Sequence, residues 1–118
     1  MAARIGIEVS EEVAKWYARL GSRDRAYADR ALDRLTEAGP GIRMPHARSL
    51  GNGLHELRFS CQGVSRRITY ALDRDGQARM LTTFAKQRGL ERHEIERARR
   101  ALVRTLGREA PTARERSR

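Results

Sequence analysis

The chain has 118 residues, 34% of them charged, a formal net charge of +10 and one cysteine. That length supports one modest core, which excludes a large multidomain enzyme. The lone Cys61 rules out an internal disulfide and suits a reducing compartment. No apolar run approaches the roughly 20 residues of a membrane-spanning helix, and Arg4 and Glu8 interrupt any signal-peptide core. The sequence therefore reads as soluble and cytoplasmic, with no membrane partner.

Residues 4 to 9 alternate weakly, with Ile5, Ile7 and Val9 on one side, which predicts a short strand. Ser10 is placed to cap a helix running to about Leu20, with Glu11 and Glu12 favourable in its first turn. Val13, Trp16, Tyr17 and Leu20 share one face of that helix and read as core. After Gly21, Ser22 is expected to cap a second helix striped by Ala28, Ala31, Leu32, Leu35 and Ala38. Its other face alternates Arg23, Arg25, Arg30 and Arg34 with Asp29, Asp33 and Glu37, the pattern of a solvated face laced with ion pairs. Gly39-Pro40-Gly41 stops it, and the two helices form a hairpin.

Residues 42 to 49 read as an irregular connector, because Pro45 argues against a central strand. Gly51-Asn52-Gly53 is a turn. A strand over Leu54 to Phe59 puts Leu57 and Phe59 toward the helices and leaves Glu56 and Arg58 on an open face. Cys61 falls in a loop. A second strand spans Val64 to Leu72, Asp75-Gly76 marks a hairpin turn, and a third spans Ala78 to Phe84. A last helix from about Glu91 to Leu106 is striped by Ile95, Ala98, Leu102, Val103 and Leu106. The polar tail at 107–118 is expected to be disordered, which leaves a single domain over 1–106.

The charge is unevenly spread. Residues 1–41 carry seven basic and seven acidic side chains, 42–106 carry fourteen and six, and 107–118 carry four and two. Arginine outnumbers lysine 23 to two, a coding bias that explains the choice of arginine but not its concentration after residue 41. Basicity confined to one part of a fold points to a polyanion-binding face, here a nucleic acid before a membrane surface.

Four runs in order carry a family resemblance. They are Leu50-Gly51-Asn52-Gly53-Leu54-His55-Glu56-Leu57-Arg58, Arg67-Ile68-Thr69-Tyr70, Leu81-Thr82-Thr83-Phe84-Ala85-Lys86, and Glu94-Ile95-Glu96-Arg97-Ala98. Together they resemble the HigB-type, phage-derived branch of the RelE/ParE toxin superfamily over about residues 4 to 106. The resemblance implies an α+β fold, with an N-terminal helical hairpin on a small twisted antiparallel sheet and a C-terminal helix. It also implies the toxin of a type II toxin–antitoxin pair, an endoribonuclease cutting mRNA, commonly on the ribosome. Such a toxin is silenced by a helix-turn-helix antitoxin and meets operator DNA only through it. Relatives often carry His-Gly before the phenylalanine and a second lysine after the first, where this chain has Thr82, Thr83 and Gln87. Leu90 and Glu91 stand where relatives open the last helix with a cap and proline.

Metal-independent RNA cleavage uses the neighbouring 2′-hydroxyl as nucleophile. The protein must accept its proton, stabilise charge on the phosphate and protonate the leaving oxygen. Arg58 and Arg67 suit a bidentate phosphate clamp. Lys86, activated by nearby arginines, serves as base or charge stabiliser. Tyr70 either stacks on a base or, in phase with Ile68 and Leu72, joins the core. Glu56 either forms a structural ion pair with Arg58 or orients it and acts as an alternative base. Arg66, Arg88, Arg43 and Arg48 complete the expected RNA-binding set, with Arg66 solvated. His55 reads as structural, and neither His46 nor His93 stands out. The histidines and Cys61 lack metal-ligand spacing, and no cofactor is implied. A gyrase-poisoning toxin and a non-toxic basic nucleic-acid-binding module are the alternatives.

Overall fold

The computed structural model describes residues 4–107. The elements run β1 (Ile7–Glu8), α1 (Glu11–Ala18), α2 (Ser22–Ala38), a 3-10 turn (Gly39–Gly41), β2 (Ala47–Gly51), β3 (Leu54–Cys61), β4 (Val64–Leu72), β5 (Ala78–Ala85) and α3 (Glu91–Leu106). Apart from Gly107, the tail expected to be disordered lies outside the described residues.

Ser10 caps α1 as its position predicts, its hydroxyl accepting from the Val13 amide at 3.2 Å. Ser22 does not cap α2. Gly21 holds the extended cap position, and Ser22 is the helix's first residue.

The sheet has five strands in the order β1-β5-β4-β3-β2. It is antiparallel except for β1, which pairs parallel with Ala78 and Arg79. The extra strand is β2. Its segment reads as a connector because of Pro45, but pairing begins only after the proline, with Ala47 opposite Leu57 and Arg48 opposite Glu56. The turn that follows places Gly51, Asn52 and Gly53 at positive φ, which makes β2 and β3 a hairpin.

Helices cover both faces of the sheet. Val13 of α1 and Ala31 and Leu35 of α2 pack on Leu57, Ile68, Tyr70 and Met80. On the other side Ala98, Ala101, Leu102 and Leu106 of α3 pack on Leu54, Ala71 and Leu81. The face expected to be open around Glu56 is thus covered by α3 at its Leu54 end, while its Arg58 end is not part of that apolar cluster. Cys61 is not in a loop either. It ends β3, buried, and burial pushes its thiol up from the ordinary value.

A bulge between Thr69 and Tyr70 interrupts the β4–β5 ladder, pairing Thr69 with Thr82 and Tyr70 with Met80. The Thr82 amide there donates to the Thr69 hydroxyl at 3.1 Å, and the two hydroxyls lie 2.6 Å apart, fully buried. Losing Thr69 orphans both the amide and the Thr82 hydroxyl, whereas losing Thr82's hydroxyl leaves Thr69 one donor. Thr69→Val is therefore expected to destabilise by about 3 kcal/mol and Thr82→Val by about 1 kcal/mol. Urea unfolding of both variants checks the order, and equal losses would contradict it.

Candidate active site

Three arginines converge on one buried carboxylate. Glu56 sits on the β3 face opposite the helical hairpin, 3% exposed. Its Oε2 lies 3.1 Å from Arg48 Nε, 3.8 Å from Arg67 Nε and 3.9 Å from Arg58 Nε. The register explains the grouping. Glu56 is opposite Arg48 on β2, and Arg58 is opposite Arg67 on β4, so side chains from three strands share one face.

Each arginine is held differently. Arg67 is almost fully buried, and its Nη1 donates to the Arg66 carbonyl at 3.2 Å. Burial, then the charge of Arg58, lowers its pKa from the ordinary guanidinium value, while Glu56 opposes the shift. Arg58 is more open, and its Nη1 donates to Met44 Sδ at 2.9 Å. Arg48 is about half exposed. Thr83 braces the site from below, its hydroxyl donating to the Arg67 carbonyl at 2.9 Å. Both family departures are thus structural in this chain: Thr82 fastens the bulge, and Thr83 steadies the strand under Arg67.

β2 stops pairing at Leu57, and the outer side of β3 beyond it faces a cleft of about 500 Å³. Arg58 and Arg67 form one wall of that cleft, Tyr27, Arg30 and Arg34 of α2 form the other, and His46 lines it as well. No carboxylate lines the cleft, since Glu56 lies beneath the arginines.

The remaining predicted residues separate. Tyr70 does not join the arginines. It is buried on the hairpin side of the sheet, stacked on His55 with ring centroids 5.3 Å apart, and burial pushes its pKa up to about 12. Its phase with Ile68 and Leu72 decides the matter, because side chains two residues apart share a face. Arg66 is not solvated. Strand alternation turns it away from Arg67, its guanidinium lies 4.8 Å from the Trp16 ring, and its Nε donates to Thr83 Oγ1. Lys86 follows the end of β5, half exposed, 4.0 Å from Glu91, and does not line the cleft. Arg43 and Arg88 are exposed, and neither lines the cleft.

Sequence reasoning passed over His46, Tyr27, Arg30 and Arg34. The charges on α2 read as half of a set of ion pairs, yet among the described residues no ion pair joins Arg30 or Arg34 to a carboxylate. Asp29 instead accepts from the Tyr17 hydroxyl, and Asp24 from the Gln62 amide. The legible signal was the spacing of Tyr27, Arg30 and Arg34, which places all three on one helix face. Among the described residues, no group of three or more His, Cys, Asp or Glu side chains could hold a metal ion. No helix among them is long and apolar enough to cross a membrane.

The architecture is that of a known α+β class, the RelE-like fold. The toxin RelE of E. coli, solved in the free state as an arginine-to-alanine double mutant, superposes with a TM-score of 0.59 at 17% identity. The match covers 87% of this chain and 99% of that one. None of the curated proteins compared matches the chain. The model of the family described as "Phage derived protein Gp49-like (DUF891)" matches residues 15–103, and the chain belongs to that family.

Proposed function

We propose that this chain is the toxin of a type II toxin–antitoxin pair, of the HigB type, and that it cleaves mRNA in the cytoplasm, on the ribosome. The observation that carries this reading is the set of arginines gathered on Glu56 at the mouth of a cleft that no carboxylate lines. Such a site suits a phosphodiester. Guanidiniums held in place before the substrate arrives can stabilise the charge that grows on the phosphate as the 2′-oxygen attacks. Glu56 works indirectly, by fixing the arginines and offsetting their mutual repulsion. Arg48 and Arg58 meet the incoming backbone, and Arg67 takes the phosphate. With relatives' imidazole replaced by buried Thr82, His46 is the side chain in the cleft suited to moving a proton. Lys86 contributes charge at the rim. The cognate helix-turn-helix antitoxin silences the toxin by covering this basic face.

The test is purified protein added to translating ribosomes in the presence of EDTA. The expected products end in a 2′,3′-cyclic phosphate and a 5′-hydroxyl, since the 2′-oxygen displaces the 5′-oxygen of the next nucleotide. A His46→Ala variant should cut about a hundredfold more slowly, the usual worth of a positioned proton-transfer group. Intact mRNA together with blocked DNA supercoiling would instead mark a gyrase poison.

A further inference from the structure

We propose that Tyr27, Arg30 and Arg34 on α2 form a second nucleotide subsite, which binds the single-stranded RNA beside the phosphate held by Arg58 and Arg67. This rests on the functional reading above and extends the site across the cleft.

The three residues lie at i, i+3 and i+7, and so project from one side of α2 into the same cleft as Arg58 and Arg67. Tyr27 is 43% exposed, an aromatic ring with one face to solvent. The Arg30 guanidinium lies 5.6 Å from its ring centroid. Arg34 Nε is buried without a hydrogen-bond partner. The nearby Tyr17 shows what a structurally committed tyrosine looks like here: its hydroxyl donates to Asp29 at 2.6 Å and Arg25 lies over its ring. The α2 wall has no such commitments to carboxylates among the described residues.

The chemistry selects the occupant. A ring beside a guanidinium takes a nucleobase by stacking, and a second guanidinium one turn along takes the adjoining phosphate. Because β2 ends at Leu57, the cleft is open along the β3 edge and can admit a strand threading between its two walls. An acidic peptide would use the arginines but leave the ring face unused.

Full-length protein is titrated with a short single-stranded RNA whose 2′-hydroxyls are all methylated, so that binding is read without cleavage. The Arg30→Ala/Arg34→Ala variant should bind about tenfold more weakly or worse. Its salt dependence, as log affinity against log salt, should be shallower by roughly 1.4, about 0.7 for each lost phosphate contact. Tyr27→Ala should also bind about tenfold more weakly, and Tyr27→Phe should bind like the parent. Toward poly-glutamate, Tyr27→Ala should match the parent. Parental RNA affinity in the α2 variants would overturn the subsite and leave the proposed activity standing. Equal weakening by Tyr27→Phe and Tyr27→Ala, or matching losses toward poly-glutamate, would also overturn it. A parent protein that ignores the RNA would overturn both readings.

Discussion

Arg67→Ala should lower the rate of mRNA cleavage by about three orders of magnitude, with little change in fold. The magnitude follows from the residue's setting. A preorganised donor aimed at developing charge contributes about 10² to 10³ in rate, and an arginine on a transferring phosphoryl group up to about 10⁵. Arg67 meets the conditions for a large effect. It is nearly dry, its orientation is fixed by Glu56 and the Arg66 carbonyl, and burial has already weakened its hold on solvent. Substitution leaves Glu56 paired with Arg48 and Arg58, so the structural loss is contained. Arg67→Lys should recover only part of the rate, because an ammonium keeps the charge but loses the two-pronged geometry. Single-turnover cleavage read beside circular dichroism separates the effects. A folded Arg67→Ala protein that cuts at the parent rate would remove Arg67 from the site.

The second large effect is on stability. Glu56→Gln removes the carboxylate shared by three guanidiniums and leaves them facing one another on a strand face. Removing one partner from a buried ion pair costs about 3–5 kcal/mol, against a total of about 5–15 kcal/mol for a domain. For a chain of this size that corresponds to a fall in Tm of roughly 10 °C or more. The variant should be rescued by sulfate or phosphate, because an anion that binds the native arginines stabilises the folded state by mass action. The gain should exceed that of the parent, whose arginines are already compensated. A variant that melts with the parent, and rises with sulfate no more than the parent does, would show that Glu56 does not hold the cluster together.

Much of this arrangement was readable from strand phase alone. Glu56 and Arg58 alternate with Leu57 and Phe59, which put the charges and the core on opposite faces. Tyr70 was readable on the same grounds, in step with Ile68 and Leu72. What the sequence hid were facts of pairing. Nothing in Ala47 to Gly51 announces a strand, because that segment becomes one only by bonding to β3, and so Arg48's approach to Glu56 was invisible. The roles of Thr82 and Thr83 depend on a bulge set by the β4–β5 register. Arg30 and Arg34 sit in the pattern expected of a solvated helix. Only the direction in which α2 crosses the sheet turns them toward the cleft, while the aspartates are spent on Tyr17 and Gln62.

The two edges of the sheet are finished unequally. Along β5 beyond the two residues of β1, the Ser10 amide donates to the Met80 carbonyl and the Ser10 hydroxyl to the Leu81 carbonyl. Glu12 accepts from the Thr83 amide, and Arg97, its pKa raised first by its hydrogen bond to Glu12, reaches the Thr83 carbonyl. That margin offers little to another chain, which limits edge-to-edge association on this side. The β3 margin past Leu57 has no such seal. An extended segment can prolong the sheet only there, and to do so it must lie across the guanidiniums. Strand addition and access to the arginines are mutually exclusive, so a single added strand would cap the sheet and close the cleft at once.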